Sequence, residues 1–222
     1  MLLSVGGAVP AIDSYEDVLS SNLREVWPVL AATVRRLKGS LVGGTALATQ
    51  LRHRQSFDLD YMTTVSFSGR ALLRKLQRST SLPCESTVAE TDYLEVNVND
   101  VAVQIFSVLS RGTNPGHVKQ LAAPTLIDGL SVASLPDLLA MKLDVIMYRP
   151  KLRDYIDIAA IDRSTILTIE DGLSLHAERY GVDIYGHDTR QIIRLLESPG
   201  KLQADRVFGT EAITAAKRNS CD

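Results

Sequence analysis

A pair of glycines followed by an alternating acidic segment constrains the fold of this chain most strongly. Gly43 and Gly44 lie between a short apolar stretch at 40–42 and a helical stretch at 45–51, and the segment Ser56-Phe57-Asp58-Leu59-Asp60-Tyr61 follows. Successive side chains of a strand point to opposite faces. We therefore predict a strand, a glycine turn, a short helix, a loop and a second strand, with Phe57, Leu59 and Tyr61 on one face and Ser56, Asp58 and Asp60 on the other.

These residue types favour a particular chemistry. Asp58 and Asp60 would lie about 7 Å apart along one strand face. A glycine turn that leads into a helix can present backbone N–H groups to a phosphate. Carboxylates that can hold Mg²⁺ beside a phosphate cradle are the parts needed to bind a nucleoside triphosphate. The alternative is a solvated strand face, which is common in antiparallel sheets.

The charge distribution points to a polyanionic substrate. Residues 31–78 contain nine Lys or Arg and two Asp, a balance of +7, whereas the whole chain carries −2, which leaves −9 for the rest. In the sequence this basic segment surrounds Asp58 and Asp60. We predict that it attracts a nucleotide or an RNA end; the alternative is that surface helices here simply carry arginines.

Periodicity and capping signals predict the remaining elements. Helices are expected at 13–38, with Asp13 and Glu16 as a capping box and either a kink or a division into two helices at Pro28, and at 69–79, 134–149, 151–162, 168–180 and 188–197. A hairpin is expected from strands 93–98 and 101–108 with Asn99-Asp100 as its turn. A loop with a turn at 114–116 and a last helix from residue 210 complete the prediction.

Composition excludes some classes of protein. No apolar run is long enough to span a membrane, no secretion signal is recognisable, and the two cysteines, Cys84 and Cys221, form no metal or redox motif, so we expect a cytoplasmic protein. Trp27 is expected in the core. The histidines show no metal-ligand spacing and are predicted at the surface or in loops; they are His53, His117, His176 and His187.

Three motifs resemble one known family. They are Gly43-Gly44-Thr45-Ala46-Leu47, the run from Arg54 to Asp60, and Leu139-Ala140-Met141-Lys142-Leu143 with Arg153-Asp154-Tyr155-Ile156-Asp157. Together they resemble the AbiEii/AbiGii nucleotidyltransferase-like toxins of the DNA polymerase β-type nucleotidyltransferase superfamily. The resemblance implies an α+β fold, with a mixed or antiparallel sheet flanked by helices in a nucleotidyltransferase-like domain at 1–127 and a helical domain at 128–222.

The resemblance also implies activity, partners and residue roles. It implies transfer of a nucleotide from an NTP with Mg²⁺ or Mn²⁺, to an RNA acceptor such as the 3′ end of tRNA, by a toxin that is paired with an antitoxin protein. Asp58 and Asp60 would bind the metal, and Asp58, Lys142 and Asp157 would be catalytic, with Asp154 a weaker candidate. The nucleotide would be held by Gly43, Gly44, Thr45, Arg54 and Ser56.

One departure from the superfamily pattern keeps other functions open. A third carboxylate is expected near the middle of the next strand, where this chain has Gln104, so Glu95 or Asp100 would have to substitute, or two carboxylates would suffice. Gln104 keeps open a module that binds NTP without catalysis. The acidic balance of the rest of the chain keeps open a nucleotidyltransferase for a small cationic molecule such as an aminoglycoside. Phosphorylation of Ser56 or Thr45 would add negative charge beside the two aspartates and is predicted to inactivate the protein.

Overall fold

A single seven-stranded sheet organises the fold. The computed structural model describes residues 12–111 and 118–198. Its helices are α1 (Ser21–Val34), α2 (Gly43–Leu51), α3 (Gly69–Ser79), α4 (Leu135–Tyr148), α5 (Leu152–Ser164), α6 (Ile169–Tyr180) and α7 (His187–Glu197). Its strands are β1 (Gly39–Val42), β2 (Asp58–Thr63), β3 (Cys84–Glu90), β4 (Tyr93–Val98), β5 (Val101–Ser107), β6 (Thr125–Ile127) and β7 (Leu130–Val132).

The sheet is mixed, as predicted. Its strand order is β3-β4-β5-β2-β1-β7-β6. Strand β2 runs antiparallel to β1 and parallel to β5, and in this register Asp60 lies opposite both Val42 and Gln104. Helices α4–α7 form the C-terminal helical region. The α+β class is therefore confirmed.

The two faces of the sheet differ in chemistry. Helices α1 and α3 cover the apolar face, which includes the buried side chains of Leu59, Tyr61 and Ile105. Trp27 lies in this core, and its indole N–H donates to the carbonyl of Ile127 over 3.2 Å. The opposite face carries Asp58, Asp60 and Gln104, because these residues alternate with the buried ones. This second face holds the candidate site.

Local signals predicted most helix boundaries. Helix α3 has the predicted bounds, and Ser134 caps α4 by accepting the backbone N–H of Asp137. Helix α6 begins with a capping box at Thr168 and ends at Gly181 in the left-handed conformation. Asn99 and Asp100 both have positive φ and form the hairpin turn. These signals depend on neighbours in the sequence, which is why they could be recognised.

Other elements differ from the prediction. The helix predicted at 13–38 is a short 3-10 turn (Ile12–Tyr15) followed by α1, whose N-cap is Ser20 rather than Asp13. Strands β3, β6 and β7 were not predicted; β3 is a polar edge strand and the other two have three residues each. Phe57, which alternation placed on the face of Leu59 and Tyr61, precedes the first residue of β2 and is 45% exposed.

The domain division stays a prediction. Its boundary, between residues 127 and 128, falls between β6 and β7, which pair with each other in the same sheet. The turn predicted at 114–116 and the helix predicted from residue 210 lie outside the described residues. Among the helices that are described, none is both long and apolar enough to cross a membrane.

Candidate active site

The N-terminus of α2 forms one wall of the candidate site. The helix begins at Gly43, two residues earlier than predicted, and its N-cap Val42 supplies no side-chain hydrogen bond. Gly43 has a φ of +76°, and a Cβ added there would lie 2.7 Å from Oδ2 of Asp60. A side chain at this position would therefore displace the carboxylate. Glycine keeps the first-turn N–H groups of α2 and the Asp60 carboxylate close together.

Two buried hydroxyls join α2 to the start of β2. The Thr45 hydroxyl lies 2.8 Å from Oγ of Ser56 and also hydrogen-bonds to the backbone carbonyl of Asp58. The Ser56 hydroxyl donates to Oδ1 of Asp58 over 3.3 Å. Thr45 is 1% exposed and Ser56 3%. The structure thus brings both hydroxyls beside the first aspartate.

Asp58 and Asp60 lie on the same face of β2 and repel each other. The guanidinium of Arg153 approaches Oδ2 of Asp58 at 4.0 Å. Burial and the charge of Asp58 raise the pKa of Asp60 to about 7, although Lys142, Arg149 and Arg153 oppose the rise. A cation placed between the carboxylates would relieve both the repulsion and the burial of negative charge.

The donor set fits Mg²⁺ if the substrate supplies the remaining ligands. Within residues 12–111 and 118–198, no group of three or more His, Cys, Asp or Glu side chains could hold a metal. Gln104 lies next to Asp60 on the adjacent strand, and its amide is 3.4 Å from Oε2 of Glu95 on the strand beyond. Asp100 is at the hairpin turn, four residues before Gln104 and about 13 Å along the strand from its level. Mg²⁺ commonly uses one or two carboxylates, substrate phosphates and water, so Asp58 and Asp60 are sufficient protein ligands.

Behind the two aspartates lies a buried cluster of ionic groups centred on Asp157. Its side chain is fully buried and accepts hydrogen bonds from His53 at 2.8 Å and from Arg54 at 2.6 and 2.9 Å. Lys142 lies 2.7 Å from its Oδ2. Burial alone would raise the pKa of Asp157, but the hydrogen bonds of His53 and the charges of Lys142 and Arg54 hold it well below its usual range.

Lys142 connects this cluster to the cavity. Its ammonium contacts Oδ1 of Asp154 at 2.8 Å as well as Asp157, and it is 7% exposed. An ammonium has three donors, and these contacts use two of them. Asp154 and Asp157 lie one turn apart on α5, so α5 fixes the direction of a lysine from α4. The third donor can serve a ligand in the cavity.

A cavity of about 530 Å³ extends from Asp60 across the face of the sheet. That volume is within the range of small-molecule binding sites. Both polar and apolar side chains line it, and the lining includes Val42, Gly43, Asp60, Met62, Gln104, Phe106, Val108, Leu138, Met141, Lys142, Asp144, Val145, Tyr148, Arg149, Arg179 and Tyr180.

The basic segment does not surround the site in three dimensions, which corrects the sequence prediction. Lys75 on α3 donates to the carbonyl of Thr33 on α1, and burial together with Arg36 and Arg35 lowers its pKa, so these bases cluster on the opposite side of the sheet. Of the nine basic residues, Arg54 enters the ionic cluster. The cations that oppose the rise in the pKa of Asp60 come from outside the basic segment: Lys142, Arg149 and Arg153.

The structure places one histidine differently from the prediction: His176 is 1% exposed on α6, with its Nε2 3.4 Å from Asp144. His53 lies in the loop after α2, as predicted, and its side chain contacts Asp157 inside the ionic cluster. Neither has metal-ligand spacing, so the sequence held no local signal for these contacts. His187 is exposed at the start of α7, as predicted. His117 lies outside the described residues.

Fold and site together fit the nucleotidyltransferase class. The parts that fit it are the mixed sheet, the glycine-rich helix start and the paired aspartates. The family model described as "Nucleotidyl transferase AbiEii toxin, Type IV TA system" matches residues 37–215. The chain belongs to this family of toxins from type IV toxin–antitoxin systems.

Several solved structures are similar to this chain at low sequence identity. JHP933 from Helicobacter pylori is 14% identical, with 78% of this chain and 87% of that chain covered and a TM-score of 0.45. ANT(2″)-Ia in complex with adenylyl-2″-tobramycin is 18% identical, with 69% and 93% covered and a TM-score of 0.47. An antigenic nucleotidyltransferase-like protein from Paracoccidioides brasiliensis is 19% identical, with 86% and 98% covered and a TM-score of 0.48. No curated protein sequence matched the chain.

Proposed function

We propose that this protein transfers a nucleotide from an NTP to the 3′ hydroxyl of an RNA, with tRNA as the acceptor, and that its antitoxin prevents this reaction. The observation that carries the proposal is the position of Asp58 and Asp60 beside the start of α2, with Lys142 across the cavity. A family of nucleotidyltransferase toxins supplies the reaction class, and the RNA acceptor is our inference.

Different residues would bind the phosphates and the metal ion of the triphosphate. First-turn N–H groups of α2, at Gly44 and Thr45, would bind phosphate oxygens, and the helix dipole would favour their negative charge. Arg54 would act indirectly, because its guanidinium is held by Asp157 and lies against Gly44. Asp58 and Asp60 would hold Mg²⁺ or Mn²⁺, which would neutralise charge on the phosphates and orient them when bound.

The chemistry is an in-line displacement at the α-phosphorus. The acceptor hydroxyl oxygen forms a bond to the α-phosphorus and gives up its proton to solvent water. The bond from the α-phosphorus to the oxygen that bridges to the β-phosphate breaks, and pyrophosphate leaves with that oxygen. Lys142 would stabilise the developing negative charge as a point charge. Asp157 would be a positioning residue, because its contacts in the structure are to Lys142, Arg54 and His53 rather than to the cavity. Positioning and electrostatics would supply most of the rate.

Label transfer to RNA tests the proposal directly. Purified protein is incubated with total tRNA, each of four α-labelled NTPs, and Mg²⁺ or Mn²⁺. We expect label on tRNA in the wild type and at least 100-fold less in Asp58→Asn, since a neutral amide is a poor ligand for Mg²⁺. Asp100→Asn is the matched control, because the same change at the exposed hairpin turn should leave transfer unchanged. No transfer with any NTP, or full transfer by Asp58→Asn, would contradict the proposal.

The same assay separates the two alternatives kept from the sequence. Label on an aminoglycoside but not on tRNA would favour a small-molecule nucleotidyltransferase. Binding of NTP with Mg²⁺ but no transfer to any acceptor would favour the non-catalytic module that Gln104 suggested. Growth arrest on expression, relieved by a partner protein, would support the toxin function independently of the acceptor.

A further inference from the structure

The surface that α4 presents to the cavity has two flanks of opposite charge. Met141, Val145 and Tyr148 line the cavity at i, i+4 and i+7. At about 100° per residue, Lys142 lies about 100° to one side of Met141, whereas Asp144 lies about 60° to the other. Arg149 follows Lys142 by seven residues and shares its flank. A ligand in this cavity therefore meets cations on one side and a carboxylate on the other.

The carboxylate of Asp144 is held in place by α6. Its Oδ1 lies 3.4 Å from Nε2 of His176, and its side chain is 17% exposed. The His176 ring is buried and packs against Tyr180, with ring centroids 4.9 Å apart. Asp144 and Tyr180 both line the cavity. A carboxylate offers about four acceptor positions, so the contact with His176 leaves several for a ligand.

The cavity that Asp144 lines has the walls that a nucleotide base needs. Phe106, Val108 and Val145 provide apolar walls, and Tyr180 provides an aromatic ring. Flat heterocycles stack on such rings, and a small number of polar groups then selects among them. Since the triphosphate belongs with the cationic flank and α2, the base of the same nucleotide would extend toward Asp144.

We propose that Asp144, oriented by His176, contacts the hydrogen-bonding edge of the base and selects an amino-bearing base over uracil. This inference rests on the proposed function, because it assumes that an NTP occupies the cavity. Cytosine presents its N4 amino group as a donor, which a carboxylate accepts. Uracil presents the O4 carbonyl at the same position, and two acceptors repel. Adenine and guanine also offer amino donors, so CTP and UTP form the most closely matched test pair.

Isothermal titration with non-hydrolysable α,β-methylene CTP and UTP, in the presence of Mg²⁺, measures the selection. We expect the wild type to bind the CTP analogue about tenfold more tightly, the effect of one hydrogen bond to a charged group. In Asp144→Asn, the amide oxygen would accept from His176 and its NH₂ would face the base. The variant should then bind the two analogues about equally or prefer the UTP analogue. Inorganic tripolyphosphate, which has no base, should bind the wild type and the variant equally.

Control variants separate selection from general damage. Glu178→Gln makes the same carboxylate-to-amide change at an exposed position of α6 and should keep the tenfold ratio. If Asp144→Asn does not fold, His176→Phe keeps a ring against Tyr180 but removes the donor to Asp144, and it should reduce the ratio at least threefold. A wild type that binds both analogues equally or prefers UTP, or an unchanged ratio in the folded variant, would overturn the role of Asp144. A wild type that binds neither analogue nor tripolyphosphate would instead contradict the proposed function.

Discussion

Replacing Asp157 by Asn should destabilise the protein strongly, because this carboxylate joins α5 to α4 and to the loop after α2. Oδ1 accepts from His53 and Arg54, while Oδ2 accepts from Arg54 and lies 2.7 Å from Lys142. Asn keeps one oxygen and replaces the other by an NH₂ group. Whichever way the amide turns, its NH₂ faces two donors. The variant therefore loses two charge-assisted hydrogen bonds and leaves buried cations poorly compensated.

The expected cost is about 3–5 kcal/mol, the range for removing one partner of a buried ion pair. For a domain of this size it corresponds to a fall in Tm of roughly 6–20 °C. Urea unfolding followed by circular dichroism measures the free energy of unfolding. Asp162→Asn, the same change at an exposed position of α5 where the side chain accepts the N–H of Ile169, is the control and should cost less than about 1 kcal/mol.

The pH dependence provides a second test of the same contacts. Because the folded protein holds the pKa of Asp157 below its unfolded value, its contribution is present above about pH 4 and is lost as the pH falls toward the folded pKa. The difference between wild type and Asp157→Asn should therefore shrink in acid. A loss below about 1 kcal/mol at pH 7, or a difference that does not depend on pH, would show that these groups do not form a tight buried cluster in solution.

Three further predictions concern the aspartate pair and its surroundings. Gly43→Ala should lower transfer at least tenfold, because its Cβ would meet Oδ2 of Asp60. The control is Gly181→Ala, where φ is a similar +64° but the added Cβ meets nothing within 4 Å, and it should only reduce the melting temperature. Equal activity in the two variants would refute the steric argument. Since the pKa of Asp60 is raised to about 7, its ionisation destabilises the metal-free fold as the pH rises from 4 to 7. Mg²⁺ should therefore raise the melting temperature more at pH 8 than at pH 5. Asp60→Asn should lose that difference. Ser56→Asp, which imitates phosphorylation, should abolish transfer because Ser56 is 3% exposed and lies beside Asp58, and a fully active variant would argue against regulation at Ser56 or Thr45.

Local patterns explain which parts of the site could be predicted. The glycine turn, the alternation of Asp58 and Asp60, and the Ser134 cap before Lys142 are all set by residues within a few positions of one another. Such signals act through backbone sterics and short-range hydrogen bonds, which operate in any context. The class of site could therefore be predicted before the tertiary structure was known.

The basic segment shows where a linear argument fails. Nine basic residues surround the aspartates in the sequence. The side chains of a sheet lie on two opposite faces, however, so residues that are close in the chain can lie on opposite sides of the sheet. Lys75 and Arg36 lie behind the sheet, whereas Arg149 and Arg153 reach the aspartates from beyond residue 140. Charge counted along a chain does not measure charge around a site.

The sequence by itself determined the glycine turn, the acidic strand face and the helices that follow, because each depends on local periodicity and capping. Only the tertiary structure decided that His53 and Arg54 meet Asp157 from about a hundred residues away, and that Asp144 faces the cavity with His176 behind it. Contacts of this kind arise from packing between elements, and burial strengthens them because water no longer screens the charges. The partners of the acidic strand were therefore set by the packing of α4, α5 and α6 around it.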